Sequence, residues 1–260
     1  MRKSILMIFV PFILVFIFAG CEKETTGLES GRGRLNVYMT DATASYDSVK
    51  ITFSQVSAHI DSEWVTVTSD PVTVDLLKWT NGAKILIGSA DVPAGKYTQI
   101  RIIIDDAEIG VDGEDYSLDV PSGAKTGLKF GPQFTIEEGS LYEIVCDFDV
   151  HRSIVVNGPQ KGPKGYKLKP YIRMMSTAVA GSISGIVSNP VDLPIAYAIQ
   201  GEDTLTSSLV NTTNGYFMLG FLGAGEYTVS ILDTNDLKFN QDSVPVIVGE
   251  NNDLGQVTLE

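Results

Sequence analysis

Residues 97–105 read YTQIRIIID, and this stretch is the clearest sign of the fold class. Ile100, Ile102 and Ile104 occupy every second position, so an extended chain places them together on one face. The intervening positions, Arg101 among them, lie on the opposite face. Alternation of β-branched and polar residues at this period predicts a strand with one face in a core.

The same alternation continues outward, in residues 35–39, 49–53, 56–60 and 144–150. Between 49–53 and 56–60 the apolar phase shifts, which predicts a β-bulge or a break between two strands. No long window beyond the N-terminus keeps the 3.6-residue period of an amphipathic helix. We therefore predict an all-β chain built from two β-sandwich domains.

Composition limits the function classes. The 260 residues suffice for about two ordinary domains, and 43% apolar content provides core material. Acidic residues number 32 against 19 basic ones, for a net charge of −13. Such a surface repels phosphate backbones, so we expect no nucleic-acid partner. Two histidines and two cysteines argue against a multi-ligand zinc site or a disulfide framework, and we expect no cofactor.

The first 21 residues carry the features of an export signal. Arg2 and Lys3 precede an apolar run at 5–19, which is shorter than the roughly 20 residues of a membrane-spanning helix but suits a secretory signal. The run leads through FAG into Cys21 and resembles a bacterial lipoprotein box. That resemblance implies removal of residues 1–20 and lipidation of Cys21. An ordinary signal or anchor with an incidental cysteine is the alternative.

Residues 21–33 are polar and Gly-containing, and we interpret them as a tether between the lipid and the first domain. The EKE after Cys21 resembles the signals that send some Gram-negative lipoproteins to the outer face of the outer membrane, although a solvated tether explains it equally well. We expect an outer-membrane lipoprotein on the periplasmic or the surface-exposed side. With Cys21 lipidated, Cys146 has no intramolecular partner and is predicted to be a buried, inert thiol.

A domain boundary is predicted at the small, flexible residues AVAGSISG (178–185), which separates a first domain at 34–177 from a second at 181–260. The second domain has six strand-like segments, and we expect it to form a small seven-stranded sandwich: 184–187, 196–200, 216–219, 227–232, 244–248 and 256–259. VPAGKYTQI (92–100) and LGAGEYTVSI (222–231) share a Gly-[Lys/Glu]-Tyr-Thr motif after a turn. We interpret this echo as one local turn used twice.

Six ordered segments of the first domain resemble domain-of-unknown-function family 4382: LNVYMTDATASYDSVKITFSQVSAHID (35–61), VDLLKWTNG (74–82), VPAGKYTQIRIIIDDA (92–107), VPSGAKTGLKF (120–130), DFDVHRSIVV (147–156) and YKLKPYIR (166–173). The resemblance covers about 34–175. Members are mostly exported lipoproteins without an established activity, so the resemblance implies export and no particular reaction.

The second domain resembles a carboxypeptidase-regulatory-like, transthyretin-like domain. Three segments carry this resemblance: ISGIV (183–187), NTTNGYFMLGFLGAGEYTVSIL (211–232) and DLGQVTLE (253–260). It implies an Ig- or transthyretin-like sandwich of the carbohydrate-binding-like group. That grouping is an analogy of fold, which does not fix a ligand.

Asp147, Asp149 and His151 are the candidate ligand or metal site. At i, i+2 and i+4 they would share one face of a flat strand, about 6–7 Å apart in steps, and two carboxylates with an imidazole could hold a metal. We favour the alternative that the aspartates accept loop amides or pair with one of three basic side chains, Arg101, Arg152 or Lys129.

Trp64 and Trp79 are candidates for stacking on a sugar ring, although packing in a core is the commoner role of tryptophan. The chain has no Gly-x-Ser-x-Gly motif, and no Gly-rich phosphate loop follows a strand. The predicted function is non-enzymatic: a membrane-anchored lipoprotein for binding, adhesion or envelope scaffolding, with a polysaccharide or an envelope protein as partner. A surface lipoprotein that binds glycans through its carbohydrate-binding-like second domain is the alternative, and a metal-assisted hydrolase is a distant one.

Overall fold

The computed structural model describes residues 30–42, 44, 46–156 and 165–260. Within these ranges the chain is mostly β-strand, and the helical segments have three to five residues. The prediction of an all-β fold is confirmed. The predicted signal segment, Cys21 and the tether as far as residue 29 lie outside the described residues. None of the described helices has the length and apolar character needed to cross a membrane.

The first unit contains thirteen strands among the described residues: β1 (Arg32–Ala42), β2 (Ser48–Ile60), β3 (Glu63–Thr68), β4 (Val72–Asp75), β5 (Ile85–Pro93), β6 (Gly95–Val111), β7 (Glu114–Ser117), β8 (Leu128–Phe130), β9 (Phe134–Ile136), β10 (Leu141–Asp149), β11 (Ile154–Val156), β12 (Tyr166–Leu168) and β13 (Ile172–Ser176). Its helices are α1 (Ser122–Thr126) and α2 (Val150–Ser153), and 3-10 turns occur at Leu76–Lys78 and Thr177–Val179.

Two sheets enclose the first core. One has the order β13-β10-β1-β5, with β1 parallel to β10 and the other pairs antiparallel. The other is organised around the long antiparallel pair β2–β6, with β3 and β4 on β2 and with β7, β8 and β9 on β6. A separate small pair joins β11 to β12. The core between the sheets draws on residues from Leu35 to Met174.

The alternation read from the sequence matches the buried faces. Ile100, Ile102 and Ile104 are fully buried in the first core. The phase shift near residue 54 is a bulge, because β2 runs unbroken while its register against β6 shifts between Phe53 and Gln55. A bulge turns the strand so that residues on both sides of it still face the same core.

The second unit has seven strands: β14 (Ala180–Val187), β15 (Ile195–Gln200), β16 (Asp203–Leu209), β17 (Tyr216–Gly223), β18 (Gly225–Leu232), β19 (Lys238–Val246) and β20 (Asn251–Val257). They form one sheet of order β17-β14-β20 and another of order β16-β15-β18-β19. A second core lies between these sheets and draws on residues from Ile183 to Leu259. The strand β16 has no clear apolar alternation in TLTSSL and was not predicted.

The repeated Gly-[Lys/Glu]-Tyr-Thr motif forms the same local structure in both units. The Tyr97 hydroxyl donates to the Pro93 carbonyl at 2.7 Å, and the Tyr227 hydroxyl donates to the Gly223 carbonyl at 2.9 Å. Each buried tyrosine thus satisfies its polar group on the backbone four residues earlier while its ring fills a core. The interpretation of this echo as one turn used twice is confirmed.

Candidate functional site

The strand β10 positions the two candidate aspartates. Cys146 and Phe148 point into the first core, whereas Val145, Asp147 and Asp149 are buried without belonging to it. A strand buried on both faces needs a second covering layer. Here that layer is the second unit, so the candidate aspartates lie at the interface between the two units.

Asp147 is held by a residue that the sequence analysis did not select. Its Oδ2 lies 2.8 Å from Arg173 Nη2, and the two residues face each other across the antiparallel pair β10–β13. The Arg173 Nη1 donates to the Phe221 carbonyl of the second unit at 2.6 Å. Only the register of β10 against β13 places Arg173 beside Asp147, because 26 residues separate them in the chain.

Asp149 caps the short helix that follows it. Its Oδ1 accepts the Arg152 backbone N–H at 2.9 Å, and its Oδ2 lies 3.3 Å from Arg152 Nε. Burial raises the pKa of Asp149, while this amide and the guanidinium act in the opposite direction. Arg152 also donates to the Thr204 carbonyl of the second unit at 2.8 Å and lies over the Tyr171 ring. These contacts match the alternative of amide capping and pairing with Arg152.

The prediction that His151 shares a strand face with Asp147 and Asp149 is wrong. The strand ends at Asp149, and His151 lies in the helical turn α2 with an exposed side chain. It therefore does not continue the strand face on which Asp147 and Asp149 alternate. Within the described ranges, no group of three or more His, Cys, Asp or Glu side chains is arranged to hold a metal ion.

A small polar cavity lies beside these residues. Its wall includes Thr40, Asp41 and Asn81 from the first unit and Thr206 from the second, and its volume of about 10 Å³ is of the order that admits one water molecule. Asp147 lines the same cavity. One oxygen of each aspartate, Oδ2 of Asp41 and Oδ1 of Asp147, is buried with no hydrogen-bond partner in the described part of the chain.

Asp41 is a buried carboxyl at this interface. Burial raises its pKa well above the usual range, and the nearby carboxylates of Asp147, Asp149 and Asp75 act in the same direction. The Val150 backbone N–H, which donates to Asp41 Oδ1 at 3.2 Å, acts in the opposite direction. Asp41 is therefore a carboxyl for which burial disfavours the charged form.

Asn81 joins the two units through both ends of its amide. Its Nδ2 donates to the Leu209 carbonyl at 3.1 Å, and its Oδ1 accepts from Ser208 Oγ at 2.7 Å and from the Met218 backbone N–H at 2.9 Å. Its backbone has a φ of +54°, which asparagine tolerates better than most residues. Sequence reasoning missed this residue because all three partners lie more than a hundred positions away.

A larger cavity of about 200 Å³ opens next to α2. It is lined on one side by Asp149, His151 and Arg152 and on the other by second-unit residues that include Tyr197 and Ser207. The Asp149 carboxylate and the Arg152 guanidinium in its wall pair with each other. The exposed imidazole of His151 takes no part in that pair. The arrangement holds α2 against the second unit.

The two candidate tryptophans lie in different environments. Trp79 packs against the first core, and its carbonyl accepts hydrogen bonds from Thr40 Oγ1 at 2.8 Å and the Asp41 N–H at 3.0 Å. Trp64 is half-buried and does not belong to either core. Of the two, Trp64 has the position that a surface stacking role requires.

The prediction for Cys146 is confirmed, since this thiol is free and buried. Burial is also the main cause that raises its pKa. A buried thiol of raised pKa is a poor nucleophile.

A family model described as a domain of unknown function, DUF4382, matches residues 32–170. This range agrees with the resemblance drawn from the six segments at 34–175. The match ends before the second unit, so the resemblance of that unit to a carboxypeptidase-regulatory-like domain stays a prediction. No curated protein matches the chain.

Similar solved structures include the Bacillus anthracis TIE protein, at 13% identity and a TM-score of 0.25, with 88% of this chain and 34% of that one covered. The chain thus spans about a third of that protein's length. The major pilin subunit BcpA of Bacillus cereus is similar at 11% identity and a TM-score of 0.21, over 88% and 70% of the two chains. A fimbrial protein from Bacteroides ovatus is similar at 11% identity and a TM-score of 0.24, over 88% and 50%. These values are too low to assign a function.

Proposed function

The chain belongs to the DUF4382 family, and we propose that this member is a non-enzymatic, lipid-anchored envelope protein that acts through binding surfaces, in adhesion or scaffolding. The proposal rests on the pairing of the two interface aspartates with arginines. Asp147 is paired with Arg173 and Asp149 with Arg152, and both arginines donate to carbonyls of the second unit. Asp147 and Asp149 thus join two β-sheet units through their arginine partners.

The second part of the proposal concerns residues 181–260, which we assign to a carboxypeptidase-regulatory-like, transthyretin-like module following a first domain at 34–177. Support comes from the seven strands, in sheets of three and four around a core of their own. The carbohydrate-binding-like grouping of such modules makes a polysaccharide or another envelope protein the partner to test.

The lipid anchor is supported by the FAGC sequence that ends at Cys21. The first strand begins at Arg32, so ten residues separate it from the cysteine. A chain of that length spans at most roughly 35 Å when fully extended. The first unit would then stay close to the outer membrane, on its periplasmic or surface-exposed side.

Processing of the precursor tests the anchor. In a bacterial host that matures lipoproteins, Cys21→Ala or inhibition of the lipoprotein signal peptidase with globomycin should leave a precursor that retains residues 1–20. Cys146→Ala is the matched control, since it removes the other cysteine of the chain and should be processed normally. Normal maturation and membrane association of the Cys21→Ala protein would refute the anchor.

Glycan binding is the second candidate function. The position of Trp64 favours it, because this ring lies outside both cores.

A further inference from the structure

The face of the β2–β6 sheet that points away from the first core carries an unusual set of side chains. Ala58 and Ile100 point into the first core, so the alternating neighbours Ser57, His59 and Arg101 face the other way. Strand pairing places His59 opposite Trp64, Ser57 opposite Arg101, and Arg101 opposite Lys129. We call Ser57, His59, Trp64, Arg101 and Lys129 the Trp64 patch.

Trp64 lies at the centre of this patch. The Arg101 guanidinium carbon is 4.4 Å from the centroid of its ring, and Lys129 Nζ is 5.4 Å from it. The His59 ring packs against the indole with 4.9 Å between centroids. Cations within about 6 Å of an indole are attracted to its π-system. The tryptophan therefore holds two positive charges close together on the surface.

Arg101 and Lys129 repel each other, and no ion pair with an acidic side chain of the described residues relieves this repulsion. Arg101 and Lys129 are direct cross-strand partners, and like charges in that position repel each other. In the described ranges neither of them forms an ion pair with a carboxylate. Arg101 donates instead to the neutral Ser57 hydroxyl at 3.1 Å. Two cations without a paired carboxylate, on a chain of net charge −13, suit an external anion.

We propose that the Trp64 patch binds an acidic polysaccharide, with its carboxylate or sulfate groups on Arg101 and Lys129 and a sugar ring beside Trp64. This inference rests on the glycan-binding form of the proposed function. The guanidinium provides a planar pair of donors that matches a carboxylate or sulfate, and the ammonium provides a second positive point. The ring adds an apolar surface that an inorganic anion would not need.

Other polyanions fit the patch less well. Recognition of an anionic membrane surface uses clusters of about four to eight Lys and Arg residues, whereas two lie here. Nucleic-acid binding draws its affinity from many phosphate contacts, which a strongly acidic chain opposes. A single acidic sugar unit needs only the groups that are present.

Binding of short oligosaccharides to the full-length chain in neutral detergent tests the proposal. The probes are trigalacturonate, which carries carboxylates, sulfated maltotriose, and neutral maltotriose, each titrated by calorimetry and by tryptophan fluorescence. We expect one or both acidic probes to bind at least about tenfold more tightly than the neutral one, as charge-assisted contacts require. Which of the two binds better identifies the acidic group. The fluorescence change should arise from Trp64, since Trp79 packs against the core.

Two variants assign the binding to the patch. Lys129→Gln removes an exposed charge and should weaken binding of the acidic probe about tenfold. Lys238→Gln, which removes an exposed strand lysine of the second unit, is the matched control and should bind like the parent. Trp64→Phe should abolish the fluorescence change and weaken binding measured by calorimetry.

Equal binding of acidic and neutral probes, no binding of any probe, or parent-like affinity of Lys129→Gln would overturn the proposal. Binding to phosphatidylglycerol vesicles without binding to the acidic trisaccharides would overturn it in favour of a membrane surface. None of these results depends on the maturation of Cys21, so the anchor and the glycan site can fail separately.

Discussion

Replacement of Arg173 by Met tests the role of the buried charges at the interface. Arg173 pairs with Asp147 at 2.8 Å, with only 17% and 6% of the two side chains exposed. The substitution keeps an unbranched apolar stem but leaves the Asp147 carboxylate without its positive partner. It also removes the hydrogen bond to the Phe221 carbonyl of the second unit.

The expected loss follows from the burial of the pair. Removing one partner of a buried ion pair costs about 3–5 kcal/mol, because the remaining charge stays out of water. For a chain of this size, a loss of that order lowers Tm by roughly 6–20 °C. Urea unfolding followed by tryptophan fluorescence measures it, since both tryptophans lie in the first unit together with the ion pair.

Arg34→Met is the matched control. Arg34 Nε and Asp91 Oδ1 are also 2.8 Å apart, but 51% and 36% of these side chains are exposed. Because solvent screens the charges of an exposed pair, Arg34→Met should cost far less stability than Arg173→Met. The two ion pairs have the same length, so a difference in the stability lost by the two substitutions reflects burial.

The double variant Arg173→Met, Asp147→Leu completes the test. With both charges removed, no unpaired charge is buried, so a large part of the lost stability should return. The reasoning is refuted if Arg173→Met costs no more than Arg34→Met. It is also refuted if the double variant is less stable than Arg173→Met alone.

Three further predictions concern buried polar groups. Because the pKa of Asp41 is raised, the folded protein retains a proton that the unfolded chain releases. The contribution of Asp41 to stability is therefore complete below about pH 4 and is lost as pH rises through the raised pKa. Asp41→Asn should remove this dependence and, at pH 7, raise the free energy of unfolding by about 1–3 kcal/mol, as measured by urea unfolding across pH. Asn81→Gly keeps the positive φ but removes three hydrogen bonds between the units, so it should cost about 1–3 kcal/mol and accelerate proteolysis near residues 177–180. In a Cys21→Ser background, Cys146 should not react with Ellman's reagent at pH 8 until denaturant is added.

Each of these three has a clear opposing result. A destabilised Asp41→Asn protein at pH 7 would show that the charged carboxylate contributes favourably to the fold. Unchanged stability and proteolysis of Asn81→Gly would show that its hydrogen bonds do not join the units. Rapid labelling of native Cys146 would show that β10 opens readily.

The strands could be read from the sequence wherever one face meets a core and the other meets solvent. Ile100, Ile102 and Ile104 are such a case, and so is the bulge in β2. The strand β16 was not predicted because its TLTSSL sequence places buried polar residues at the interface, so apolar and polar residues do not alternate along it. His151 was misplaced because a helical turn begins at Val150, where Asp149 caps the backbone.

The candidate site was only partly predictable for a similar reason. The contact between Asp149 and Arg152 spans three residues, so local sequence contains both partners. The partners of Asp147 and Asn81 come from distant strands, and only the register of β10 against β13 and the packing of the second unit bring them together. The sequence also could not separate Trp64, which lies within β3, from Trp79, which follows the 3-10 turn at Leu76–Lys78, because packing against distant strands decides which ring meets the core.

The sequence itself determines the local structure of this chain, because neighbouring residues decide it through backbone geometry and burial. This local structure includes the short alternating strands, the two tyrosine turns and the capped end of β10. Tertiary structure alone decided that Asp147 and Asn81 join two units and that Trp64 gathers Arg101 and Lys129 on an open face. Those arrangements depend on strand register and sheet packing, which set distances between residues that the linear chain keeps far apart.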